Sequence, residues 1–128
     1  MKVLLFPLSQ VLAHVSRAYV VGRELRARGH EVVFAAENLR HERSQMSIVV
    51  QDGFRIVAAR EPDFSYLWRR LMEAGFRGTV GAVCSPKKWM PVDEIIERQV
   101  EVIKSERPDV VVGFATATMS DAAYVAGV

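Results

Sequence analysis

His14 is the residue of this sequence best placed for proton chemistry. It follows a short apolar run, Val3 to Phe6, and stands where the next helical pattern begins. The positive end of a helix dipole opposes a second positive charge and so favours the neutral imidazole, a competent general base. The blander alternative is a histidine that caps the helix or hydrogen-bonds within its loop. Phe64, Trp68, Met72 and Phe76 recur every four residues and share one helical face, with Trp89 and Met90 further on. Such a stripe is either buried core or the wall of a pocket for a large apolar ligand. Ser9, Gln10 and Thr116 could supply polar contacts to hydroxyls of that ligand, or simply line surface loops.

The loop before His14, Pro7-Leu8-Ser9-Gln10-Val11-Leu12-Ala13, narrows the chemistry by what it lacks. It holds no glycine, so a dinucleotide fingerprint is disfavoured there, and no Gly-Lys-Ser/Thr of a phosphate loop occurs. No acidic pair stands at the end of the first strand to hold magnesium. The lone cysteine, Cys84, forms no intramolecular disulfide, and no Cys/His pairs fall at zinc spacing, so no metal site is expected. His30, at the amino end of the second strand, and His41, in a charged run, read as structural and solvated respectively.

The elements that position these residues follow from periodicity. Val3 to Phe6, Glu31 to Ala36, Phe54 to Ala58 and Val110 to Gly113 are short and apolar, as strands covered on both faces are. Between them the helical pattern runs from Val15 to Arg28, stopped by Gly29, then from Leu39 to Gln51, from Ser65 to Gly75, and from Val92 through Ile103. The last of these has Pro91 at its start and a Glu94–Arg98 pair along one side. A further helix runs from Thr118 to Ala126, and the stretch from Gly75 to Pro91 reads as loop. Alternating strands and helices predict an α/β fold, a Rossmann-like doubly wound parallel sheet whose ligands sit at the carboxyl ends of its strands. The chain stops in Ala126-Gly127-Val128, where a cap would lead into a fifth strand, so a fragment is expected.

Composition agrees. The 128 residues carry 17 Lys+Arg against 15 Asp+Glu, and 50% are apolar. That excludes a disordered chain and the basic excess of a dedicated nucleic-acid binder. No apolar run reaches the length of a membrane span and no targeting segment is visible, so a cytoplasmic protein is expected.

The segment His14-Val15-Ser16-Arg17, followed by Arg23-Glu24-Leu25-Arg26-Ala27-Arg28-Gly29-His30-Glu31-Val32-Val33-Phe34-Ala35, resembles the amino-terminal region of GT-B-fold glycosyltransferases of the UDP-glucuronosyl/UDP-glucosyl transferase type. These include bacterial macrolide and antibiotic glycosyltransferases. Arg107-Pro108-Asp109-Val110-Val111-Val112-Gly113, with Ala122-Ala123 and Ala126-Gly127-Val128, looks like the family's fourth strand and following helix. The resemblance implies an inverting transfer of a sugar to an acceptor hydroxyl, with His14 as base. It implies that residues 1–128 are a partial amino-terminal domain that holds a lipophilic or natural-product acceptor, the acceptor residues being those named above. No cofactor is expected in this segment. The nucleotide diphosphate-sugar donor, a UDP- or TDP-sugar, would bind the chain's own carboxy-terminal domain outside it, and the segment alone would be inactive. A sheet without its remaining neighbours also predicts homo-oligomers through an exposed edge.

The departures from the family pattern matter. Gly113-Phe114 stands where many members carry an aspartate that orients the histidine; Asp121, in the following helix, is the substitute partner this leaves, with a solvated helix residue as the alternative, while Ala13 replaces a glycine and Ser16-Arg17 replaces Asn-Pro. The competing readings are a standalone Rossmann-like binding module without catalysis and a nucleotide-sugar epimerase or other phosphate-handling protein. The latter needs a glycine-rich or basic phosphate site, which is not found.

Overall fold

The computed structural model describes residues 1–37, 45–116 and 118–128. Strands β1 (Lys2–Pro7), β2 (Glu31–Ala36), β3 (Arg55–Ala58) and β4 (Val110–Phe114) form one sheet in the order β3-β2-β1-β4. All three pairings are parallel, in registers that set Leu4 beside Val33 and Val111. The expected α/β architecture with a four-stranded parallel sheet is therefore present.

The apolar runs of β1 and β2 are covered on both faces, as their composition suggested, whereas β3 and β4, at the two edges of the sheet, are only half-buried. Side chains alternate across a strand, so Val3 and Leu5 join one core with Val32, Phe34, Phe54, Val15 and Ala18, the last two from α1 (Leu12–Ala27). Met46 and Val49, at and in α2 (Ser47–Gln51), complete that layer. Leu4 and Phe6 point the other way and pack with Val33, Ala35, Val102 and Ile103 of α4 (Val92–Glu106), and Ala122 of α5 (Met119–Ala126). Gly22 lets α1 lie close on the sheet: a Cβ there would stand 2.9 Å from Phe34 Cζ. At the amino end of the sheet the buried Glu106 binds Arg55 at 2.6 and 2.7 Å and Lys2 at 2.9 Å, tying β1, β3 and α4 together.

The structure differs from the sequence expectation in three places. Helix α3 (Phe64–Val83) does not end at Gly75; it bends there, at φ 60 and ψ −159, and resumes to Val83, so the expected loop is mostly helix. That backbone region belongs almost entirely to glycine, which is why a break is legible in sequence; the helix resumes through Gly78, Thr79, Val80 and Gly81, all weak helix formers, which is why the sequence read as loop there. Secondly, Glu94 pairs with Arg60 at 2.6 Å and Arg98 with Glu101 at 2.5 Å, so the Glu94–Arg98 pair is not made. A tertiary partner on the neighbouring strand end competes successfully with the neighbour one helical turn away. Thirdly, the helix expected over Leu39 to Gln51 is described only as Ser47–Gln51; its earlier part, with His41, lies outside the described residues.

Candidate functional site

The chain runs from β1 outward through β2 to β3, and then returns to place β4 on the other side of β1. The strand order thus reverses between β1 and β4, and the crevice beyond their carboxyl ends is where doubly wound sheets bind ligands. The loop after β1 and the loop after β4 form its two lips. They are linked by Leu8 N–H, which donates to Phe114 O at 3.3 Å, and by the buried Thr116 hydroxyl, which donates to Phe6 O at 3.4 Å.

His14 stands in the first turn of α1, its backbone N–H donating to Val11 O at 3.0 Å. Its side chain is half-buried. The turn contains no acidic residue, and Val11 makes no side-chain cap. Asp121 lies exposed in the first turn of α5, and no hydrogen bond or ion pair joins it to His14. Gly113 leaves little room at that strand end: a Cβ there would stand 2.8 Å from Thr116 Oγ1 and meet the terminal methyl of Met119, which can swing aside.

Glu61 is the residue that sequence reasoning passed over. It follows β3, is 4% exposed, and accepts three hydrogen bonds: from Ser9 N–H at 2.8 Å, from the Ser9 hydroxyl at 3.0 Å and from Glu37 N–H at 3.0 Å. Burial pushes its carboxyl up to about 7; the hydrogen bonds from Glu37 and Ser9 oppose that rise, and the Glu37 charge adds to it. An acid three residues past the apolar run of β3 and just before Pro62 was the available signal. Nothing in the spacing reveals that three chain segments converge on it.

The expected polar contacts are committed within the protein. Ser9 and Thr116 hydroxyls are buried in the bonds just given, and Gln10 Nε2 donates to Pro62 O at 3.0 Å. The aromatic stripe is not core. Phe64 is 39% exposed, Trp68 58%, Met72 72% and Phe76 79%, along an α3 that packs mainly on the short 3-10 turn Pro86–Lys88. Burial of a helical stripe requires an opposing layer, and α3 leaves the sheet before finding one. Trp89 and Met90 are half-buried, and Trp89 stacks at a tilt on Phe64, with ring centroids 5.5 Å apart. The Trp89 indole Nε1 is buried without a hydrogen-bond partner among the described residues.

A cleft of about 570 Å³ opens elsewhere, between the end of β3 and α4, and is lined by Arg60, Arg98, Glu94, Glu97 and Glu101 among others. None of the expected site residues lines it. Among the described residues no group of three His, Cys, Asp or Glu side chains could hold a metal ion, and no helix is long and apolar enough to cross a membrane.

The sequence matches no family model and no curated protein. Solved structures do match. The chain is similar to spinosyn rhamnosyltransferase SpnG, with a TM-score of 0.54 and 20% identity over 88% of this chain. It is also similar to SsfS6, a glycosyltransferase of Streptomyces sp. SF2575, with a TM-score of 0.59 and 16% identity over the whole chain. It spans 29% of the first of these proteins and 37% of the second. The chain thus has an α/β, Rossmann-like fold shared with part of these two glycosyltransferases.

Proposed function

We propose that residues 1–128 are the acceptor-binding, amino-terminal portion of an inverting glycosyltransferase. The observation that carries this reading is the position of His14. It begins the helix beside the β1–β4 crevice of a fold shared with two glycosyltransferases, after a loop without glycine-rich phosphate chemistry. The His14 imidazole takes the proton of the acceptor hydroxyl, whose oxygen attacks the anomeric carbon as the bond to the nucleotide diphosphate breaks. The donor, a UDP- or TDP-sugar, binds a carboxy-terminal domain, and the enzyme works in the cytoplasm. SpnG is named for a spinosyn acceptor, and a lipophilic natural-product alcohol suits the exposed Phe64, Trp68, Met72 and Phe76 face. With Gly113 in place of an acid, the imidazole is oriented by backbone or water, and Asp121 is the candidate side chain should α5 approach on closure.

A second reading, a binding module without catalysis, is favoured by one observation: no described acidic side chain holds the His14 ring. The two separate in a turnover assay. The gene product containing residues 1–128 is incubated with UDP- and TDP-sugars and a panel of lipophilic alcohols, and products are read by mass spectrometry. Transfer that falls by about 10²- to 10⁴-fold in His14→Ala supports the base. Transfer unchanged in that variant removes the mechanism, and no transfer with any donor favours the binding module.

A further inference from the structure

We infer that Glu61 is the positioning residue of this site: by binding Ser9 and Glu37 together it clamps the loop that leads into α1, and so sets where His14 stands. Every polar group of Ser9 is engaged. Its N–H and hydroxyl donate to Glu61 Oε2, and its carbonyl accepts from Gln45 N–H at 2.9 Å. The other carboxylate oxygen accepts from Glu37 N–H, at the end of β2. Gln10 adds a bond from the same loop to Pro62 O, directly after Glu61. One buried side chain from beyond β3 therefore joins the carboxyl ends of β1, β2 and β3.

The consequence for His14 follows from what α1 lacks. Its amino terminus has no side-chain cap and no acid in the first turn, so, beside the packing of Val15 and Ala18 on the sheet, the loop of residues 8–11 sets how the chain enters the helix. Remove the carboxylate, and two donors of the clamp, Ser9 N–H and Glu37 N–H, lose their acceptor in a dry place. The loop then has to move outward to water, and the first helical turn moves with it. Glu61 itself is too buried to touch an acceptor molecule, which makes it a positioning residue and not a catalytic one.

The catalytic half of this inference rests on the glycosyltransferase reading; the clamp does not. The test uses the gene product containing residues 1–128, as wild type, Glu61→Gln and Ser9→Ala, the last carrying the test if Glu61→Gln does not fold. Amide hydrogen exchange at Ser9 and Glu37, corrected for intrinsic rates, is expected to lose about tenfold or more of its protection in Glu61→Gln. Ser9→Ala, which removes one of three donors, is expected to lose less. In the transfer assay Glu61→Gln is expected to lower kcat by about tenfold or more while acceptor KM stays within about twofold, a split that general unfolding does not produce. Unchanged protection overturns the clamp. Lost protection with wild-type kcat overturns the positioning role. Absence of transfer by the wild type overturns the glycosyltransferase reading and the catalytic half with it, while the exchange measurement still decides the clamp.

Discussion

Met119 occupies the space that a side chain on Gly113 would need. The strand end that faces His14's loop is crowded by the Met119 methyl from α5 and by the buried Thr116 hydroxyl, the less movable of the two. Gly113→Asp should therefore destabilise the protein by about 1–3 kcal/mol, through overpacking and a buried charge without a partner. Urea unfolding checks this. Met119→Ala, made together with Gly113→Ala, should recover part of the loss of Gly113→Ala alone, because the two substitutions share one space.

Glu61 should impose an unusual pH dependence on stability. Its folded value, about 7, lies above the ordinary 4.5, so the folded state binds the proton more tightly than the unfolded chain. Its contribution is fully present below 4.5 and is lost as the pH rises to about 7, a change on the order of 3 kcal/mol. Unfolding free energies across that window should fall with rising pH in wild type and flatten in Glu61→Gln. A wild-type curve already flat there would refute the assignment.

Glu106 should act with the opposite sign. Burial pushes its carboxyl up, but hydrogen bonds and charges from Arg55 and Lys2 outweigh that and hold it below the ordinary glutamate range. Stability from this group is present above that range and is lost as the pH falls through the lowered folded value. Glu106→Gln should cost about 1–2 kcal/mol at neutral pH, a modest figure because Arg55 is largely solvent-exposed and screened. Acid denaturation of the variant should show a shallower slope than wild type.

The exposed face of α3 should contribute little to folding. Trp68→Ser, Met72→Ser and Phe76→Ser are each expected to shift unfolding free energy by less than about 0.5 kcal/mol, as exposed positions do. If this face holds the acceptor, the triple variant should raise acceptor KM while leaving Tm in place. Light scattering on the same variant checks whether the face also drives self-association; the free edges of β3 and β4 are the other surfaces through which copies could pair.

The sheet was legible because parallel strands are built from uninterrupted apolar runs, and Val3 to Phe6, Val32 to Ala36 and Val110 to Val112 are such runs, although only the first two are covered on both faces. The stop after α1 was legible too, since Gly29 adopts φ 81, which glycine tolerates best. Helix α3 was half legible: Gly75 marks the bend, but its spacing of Phe64, Trp68, Met72 and Phe76 serves a buried face and an exposed one equally well.

By itself, then, the amino-acid sequence determined the order of strands and helices, the place of His14 at a helix start and the lack of an acid at Gly113, because each depends on local pattern or residue type. Tertiary structure alone decided which face α3 shows to solvent, which partner Glu94 takes and what Glu61 does. Those outcomes depend on which distant segments meet, and a carboxyl becomes a clamp only where Ser9, Glu37 and the end of β3 arrive together in a place without water.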